Sequence, residues 1–134
     1  MLNGEISFVE ISNNVLYNIK GHGIALQTAS ENFNTFKNNL VISVYSSYDL
    51  YQTDISVSAF YITNPSNTLI GNRAAGSDSF GFWFPIQNSV SRDVCPTGSP
   101  LGYVKDSVIH SSGVYGFRIN RLSARNFPCK SLRN

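Results

Sequence analysis

Large apolar residues recur along this chain in short gapped clusters that fit neither a 3.6-residue helical period nor one long alternating strand. Four segments align without gaps: Ile11-Ser-Asn-Asn14-Val-Leu-Tyr-Asn18, Phe36-Lys-Asn-Asn39-Leu-Val-Ile-Ser43, Leu69-Ile-Gly-Asn72-Arg-Ala-Ala-Gly76 and Val104-Lys-Asp-Ser107-Val-Ile-His-Ser111. Each has a large apolar residue, two mostly polar residues, Asn or Ser, three mainly apolar residues and a small turn former. Five residues later a glycine opens an apolar strand in three copies: Gly23 before Ile24–Leu26, Gly81 before Phe82–Phe84, and Gly116 before Phe117–Ile119. The second copy breaks after Ser43, and its matching strand is Ser58–Ile62, displaced by an insertion around Tyr45–Ser56.

A strand of three to five residues cannot bury a face by itself, but strands stacked in parallel share one continuous core. The repeat therefore predicts an all-β chain, a right-handed parallel β-helix of about four rungs with long loops. Ile11, Phe36, Leu69 and Val104 form one inward ladder, and Leu26, Ile62, Phe84 and Ile119 another. Asn14, Asn39 and Asn72, with Ser107 in the last copy, fall at a corner, where Asn tolerates left-handed backbone and bonds to its equivalent one rung away. Gly23, Gly81 and Gly116 serve the next corner, where a Cβ does not fit. The repeats are longer than a bare rung needs, which assigns loops to Gln27–Asn32, Tyr45–Ser56 and Pro85–Pro100. An immunoglobulin-like sandwich accounts for the β content and two cysteines, but not for the fixed Asn-to-Gly spacing.

Composition narrows the function. The chain has 134 residues, 42% of them hydrophobic and only 13% charged, with a net charge of +2. One domain over residues 1–134 is expected, with a surface built from neutral polar residues, as in many extracellular β-rich proteins. Arg118, Arg121 and Arg125 form the longest basic cluster and lack the aromatic interleaving of a nucleic-acid site. No stretch approaches 18 apolar residues, so no membrane span is expected. The segment Met1–Glu5 lacks the character of a signal peptide, so a secreted chain of this kind is expected to be part of a larger protein. Cys95 and Cys129 sit in Pro-flanked, loop-like sequence without CxxC spacing, which favours a disulfide over redox or metal chemistry; free thiols are the alternative.

The segment Phe60–Asn67, followed by Asn72-Arg-Ala-Ala-Gly-Ser77 and Gly81-Phe-Trp-Phe84, resembles the β-helix region of fibrocystin-like proteins and of the cell-migration-inducing, hyaluronan-degrading proteins. Asn13–Asn18, Gly21-His22-Gly23, Glu31–Phe36, Pro100–Gly102 and His110–Gly116 fit the same pattern more loosely. Thr28-Ala29-Ser30 stands where that family often carries Asp-Gly, and the loop after Phe84 is shorter than in the hyaluronan-degrading members. The resemblance implies an extracellular β-helical module in contact with glycan, without establishing an activity.

No complete catalytic set is legible. Asp54 in the insertion and Asp78 before Gly81 are the weak carboxylate candidates for polysaccharide chemistry, though Asp also favours turns. His22, between two glycines, is a weak acid–base candidate, and His110 lies within a repeat. Trp83 and Tyr61, one rung apart, are candidates for stacking against sugar rings; Arg73 and Arg118 are candidates for pairing with an acidic glycan. The expectation is a non-catalytic structural or binding module without metal or cofactor. Its partners would be neighbouring β-helix rungs, other domains, copies of itself stacked end to end, or glycan. The alternative is a polysaccharide-active or glycan-binding β-helix.

Overall fold

A computed structural model describes residues 6–47, 56–87 and 95–120. Twelve short strands follow one another as four three-strand rungs. The first rung is β1 (Glu10–Ser12), β2 (Val15–Lys20) and β3 (Ile24–Leu26); the second is β4 (Thr35–Lys37), β5 (Leu40–Tyr45) and β6 (Ser58–Ile62). The third is β7 (Thr68–Ile70), β8 (Arg73–Ser77) and β9 (Phe80–Pro85); the fourth is β10 (Val104–Lys105), β11 (Val108–Ser112) and β12 (Tyr115–Asn120). Equivalent strands pair in parallel into three four-stranded sheets: β1-β4-β7-β10, β2-β5-β8-β11 and β3-β6-β9-β12. This is a parallel β-helix, as the repeat predicts.

The register is the one the apolar pattern demands. Ile11 pairs with Phe36, Phe36 with Leu69, and Leu69 with Val104. In the third sheet Leu26 pairs with Ile62, and Phe84 with Ile119. Phe36, Phe60, Ile62, Leu69, Phe82 and Phe84 are fully buried, and the Phe60 and Phe82 rings stack at 4.5 Å between centroids. Burying one such side chain contributes roughly 1.5–3 kcal/mol. Burial is deepest in the two middle rungs, whereas Ile11, Leu16, Ile19, Val104, Ile109 and Ile119 of the outer rungs are only partly covered.

At the first corner the asparagines form a ladder. The Asn14 amide N–H and Nδ2 both donate to Asn39 Oδ1, at 3.1 and 3.0 Å, and Asn39 repeats the pair onto Asn72 Oδ1, at 3.0 Å each. The Asn72 N–H donates to Ser107 Oγ at 3.3 Å. The left-handed backbone, expected at these asparagines, instead falls one residue earlier, at Asn13, Asn38, Gly71 and Asp106, with φ of 58°, 53°, 65° and 51°. That residue makes the bend and leaves the next side chain aimed along the stack. A second left-handed position recurs inside the second sheet at Asn18, Ser43, Gly76 and Ser111, the small residues that close each repeat. A second ladder, not evident from the spacing, runs between the third sheet and the next rung: Val9 N–H donates to Asn34 Oδ1 at 3.0 Å, and Asn34 N–H to Asn67 Oδ1 at 2.9 Å.

The glycines answer to space rather than to φ. A Cβ on Gly81 would stand 2.3 Å from Ile109 Cγ2 and 2.6 Å from Gly116 O, and one on Gly23 would stand 2.5 Å from Ala59 O. Gly81 and Gly116 occupy the second position of β9 and β12, and Gly23 immediately precedes β3. The insertion before β6 leaves at the corner between the second and third sheets. The segment between β9 and β10 joins the third sheet to the first, so the two connections leave from opposite ends of third-sheet strands.

Asn72→Leu removes the acceptor for two Asn39 donors and the donor to Phe36 O, bonds of 3.0, 3.0 and 2.8 Å at a fully buried site. It is expected to lower unfolding free energy by on the order of 3 kcal/mol in urea titrations. Gly81→Ala should cost about 1–3 kcal/mol, and Gly116→Ala much less, because its nearest contact is a side-chain methyl at 3.3 Å.

Candidate functional site

Alternation along β9 sends Phe82 and Phe84 inward and Trp83 outward, onto the outer face of the third sheet. The registers Tyr61 to Trp83 and Trp83 to Arg118 place these three side chains on that face in successive rungs. Tyr61 meets Trp83 edge-on at 5.2 Å between centroids. His22 lies 4.2 Å from the Tyr61 ring and 6.3 Å from Trp83. Phe80 packs against Trp83 at 4.7 Å and stacks on Tyr115 at 6.2 Å. The Arg118 guanidinium sits over the Phe80 and Tyr115 rings, at 5.3 and 5.7 Å. Four rings and one cation thus share one surface over the buried Phe80, with Trp83 Nε1 held by Asn120 Oδ1 at 3.1 Å. A hollow of about 280 Å³ adjoins it, lined by Trp83, Pro85, Ile86, Gln87 and Asn120.

His22 is fixed from below. The Ser58 N–H donates to His22 Nδ1 at 3.1 Å, and Ser58 Oγ lies 3.1 Å from the same nitrogen. Nδ1 is therefore an acceptor, and the proton of the neutral ring sits on Nε2. Ser58 is fully buried, so this Ser–His contact positions the imidazole and does not present a nucleophile to solvent. The arrangement has the chemistry of a recognition surface: flat rings for the apolar faces of a ligand, and an amide, an imidazole and a guanidinium for its polar groups.

The family model "CEMIP beta-helix" matches residues 5–117 of the chain. The chain belongs to the CEMIP β-helix family. Human fibrocystin-L is 34% identical over 114 residues, covering 81% of this chain and 3% of the relative. Communication mutant protein F of Dictyostelium discoideum is 32% identical over 130 residues, covering 80% of this chain and 12% of the relative. Cell surface hyaluronidase of Danio rerio is 37% identical over 73 residues, covering 49% of this chain and 5% of the relative. The chain thus spans a small part of the length of the curated relatives it matches. No solved structure matches it.

In this CEMIP β-helix, three of the residues singled out in the sequence, His22, Tyr61 and Trp83, come together. Arg118, singled out beside Arg73, joins them, whereas Arg73 stands exposed on the second sheet, in β8. Asp78 is in the turn before β9, and its Oδ2 accepts from the Ser46 N–H at 2.8 Å. Asp54 lies outside the described residues. His110 is exposed on β11, with Nδ1 3.2 Å from Ser111 Oγ. Cys95 is half-buried just before a 3₁₀ turn, Pro96–Gly98; Cys129 lies outside the described residues, and the bridge between the two stays a proposal. Among the described residues no group of three or more His, Cys, Asp or Glu stands together as a metal site requires, and no helix is long and apolar enough to cross a membrane.

Sequence reasoning missed Phe80 and Tyr115. Phe80 shares parity with Phe82 and reads as a core residue, yet its ring contacts Trp83, and no spacing rule separates the two. It also passed over Glu31, which is fully buried in the turn before β4. Both its oxygens accept from the Thr28 N–H at 3.1 Å, and Oε1 accepts from Thr28 Oγ1 at 2.6 Å. Its backbone carbonyl accepts from Asn67 Nδ2 at 2.9 Å. Glu31 is a structural carboxylate. Glu31→Gln sets an amide NH₂ against donors already aimed at the site and is expected to cost about 1–3 kcal/mol, measured by chemical denaturation.

Proposed function

We propose that this chain is a non-catalytic carbohydrate-contacting module of a larger extracellular β-helical protein, and that the contact surface is the outer face of the third sheet. The observation that carries the reading is the convergence of His22, Tyr61, Trp83 and Tyr115 with Arg118 on one face, over the buried Phe80. Aromatic rings on a rigid sheet cover the C–H faces of sugars with little side-chain entropy to lose. Arg118, preset over two rings, gives that surface a cation suited to a carboxylate or sulfate on the ligand. An extracellular setting draws on the names of the relatives fibrocystin-L and cell surface hyaluronidase.

A second reading, polysaccharide cleavage on the same face, draws on the zebrafish relative's name. The described carboxylates stand elsewhere: Glu10 on the first sheet, Glu31 inside a turn, Asp106 at the first corner, and Asp78 against the Ser46 amide. Under this reading a carboxylate outside the described residues, such as Asp54 of the insertion, would supply the acid.

Trp83 is the only tryptophan, so its fluorescence reports occupancy directly. Titration with neutral and uronate-containing oligosaccharides is expected to shift its emission saturably. Tyr61→Ala should weaken binding by roughly tenfold, about 1.4 kcal/mol, at the upper end of the 0.5–1.5 kcal/mol of one aromatic contact. Arg118→Gln should weaken the uronate ligand and spare the neutral one. No shift with either class of sugar would sink the reading, and release of new reducing ends or unsaturated products would replace it with the second.

A further inference from the structure

The second sheet is apolar on both faces. Leu16, Val41, Ala74 and Ile109 point into the core. On the outside the register lines up Val15 with Leu40, and Tyr17 with Ile42 and then Ala75, with Val108 in the last rung. Val15 and Tyr17 are each 69% exposed and Val108 49%, while Leu40, Ile42 and Ala75 are half-buried. The first sheet is the internal comparison. Its first two strands, Glu10-Ile11-Ser12 and Thr35-Phe36-Lys37, alternate polar outside with apolar inside. Strand β5 instead reads Leu40-Val-Ile-Ser-Val-Tyr45. That near-continuous apolar run is the pattern of a parallel strand covered on both faces.

Charge and area constrain what covers this face. Arg73 stands exposed in the middle of it, between Leu40 and Val108, and makes no ion pair with a described residue. A second copy docked by the same face would bring another Arg73 and no carboxylate. A surface of complementary charge is apolar and sets a carboxylate opposite Arg73. Size points the same way. Strands of up to six residues at about 3.3 Å each, in four rungs about 4.8 Å apart, give a flat area of about 400 Å². Two such faces bury about 800 Å² between them, below the roughly 1,200–2,000 Å² of a stable complex between free proteins. That area lies within the roughly 600–1,500 Å² found between modules of one chain. A tethered partner needs no more, because the shared chain keeps it at a high effective concentration.

We propose that the outer face of the second sheet is the docking surface for another module of the same polypeptide, and that Arg73 pairs there with a carboxylate of that module. The proposal rests on the reading of this chain as one part of a larger protein; the relatives it matches are themselves far longer than the matching stretch. The apolar columns seat the partner's apolar side chains, and the ion pair fixes its register more than its affinity. Beside the columns, the left-handed residues Ser43, Gly76 and Ser111 line a shallow hollow of about 160 Å³, together with Tyr45 and Asp78. It admits one side chain of the docked module. Sugar contact belongs to the third sheet and docking to the second, so both surfaces can be occupied at once.

The test introduces Tyr17→Cys or Val108→Cys, in the full chain and in the larger protein that carries it, each variant checked for folding by circular dichroism. The probe is a fluorescent maleimide, and each rate is divided by that of the same variant in denaturant. Both positions are expected to label at least about tenfold more slowly in the larger protein than in the chain alone, because reaction there waits for the module to lift off. Arg73→Glu added to Tyr17→Cys should raise labelling about tenfold in the larger protein and change nothing in the chain alone. Equal rates in the two settings overturn the proposal and leave the reading of a larger protein standing. Protection already present in the dilute chain overturns it in favour of the chain's own segments. Protection that grows with chain concentration overturns it in favour of a second copy. Protection that Arg73→Glu leaves unchanged overturns the carboxylate partner. A gene that encodes no larger protein sinks that reading and the proposal together.

Discussion

A strand of three residues buries nothing alone, and every strand here depends on the parallel strand one rung away. The backbone bonds between rungs fix the spacing, but they are indifferent to slippage along the strand. Two sets of side chains remove that freedom. The apolar ladders, Ile11 to Val104 and Leu26 to Ile119, would turn outward if a strand slipped by one residue. The Asn14–Asn39–Asn72 ladder would lose buried amide partners at each step. Register, core and corner are therefore one constraint seen three times.

The outer face of the third sheet follows from that constraint. Once Phe82 and Phe84 are fixed inward, Trp83 must face out, and the same register brings Tyr61 and Arg118 beside it. His22 arrives from the corner, where the Ser58 N–H sets its ring against Tyr61. No local propensity gathers these rings on one side of the sheet. They meet because positions separated by 20 to 40 residues in sequence are one rung apart in space.

Most of the architecture is legible in the residues, since the repeat is a direct image of the stack. The two inward ladders, the asparagine corner and the displaced strand Ser58–Ile62 all follow from spacing. What spacing does not carry is conformation at single positions. The left-handed residue falls at Asn13, Asn38, Gly71 and Asp106, three residue types, one of them without a side chain. The ladder asparagine is the more uniform residue and so draws the eye. The site is legible only in part. Alternation identifies Trp83, but not that the buried Phe80 packs against it, and Glu31 looks like any turn acid until its two oxygens are seen filled by Thr28.

The insertions at either end of third-sheet strands leave from corners of the stack and return to the next strand. The rungs they connect are already held by their neighbours. The entropy of such a loop grows only with the logarithm of its length, about 0.6 kcal/mol for each doubling. Segments at these two corners can therefore lengthen, shorten or change composition over evolutionary time with little effect on the solenoid. The scaffold and the segments it carries are free to diverge at different rates.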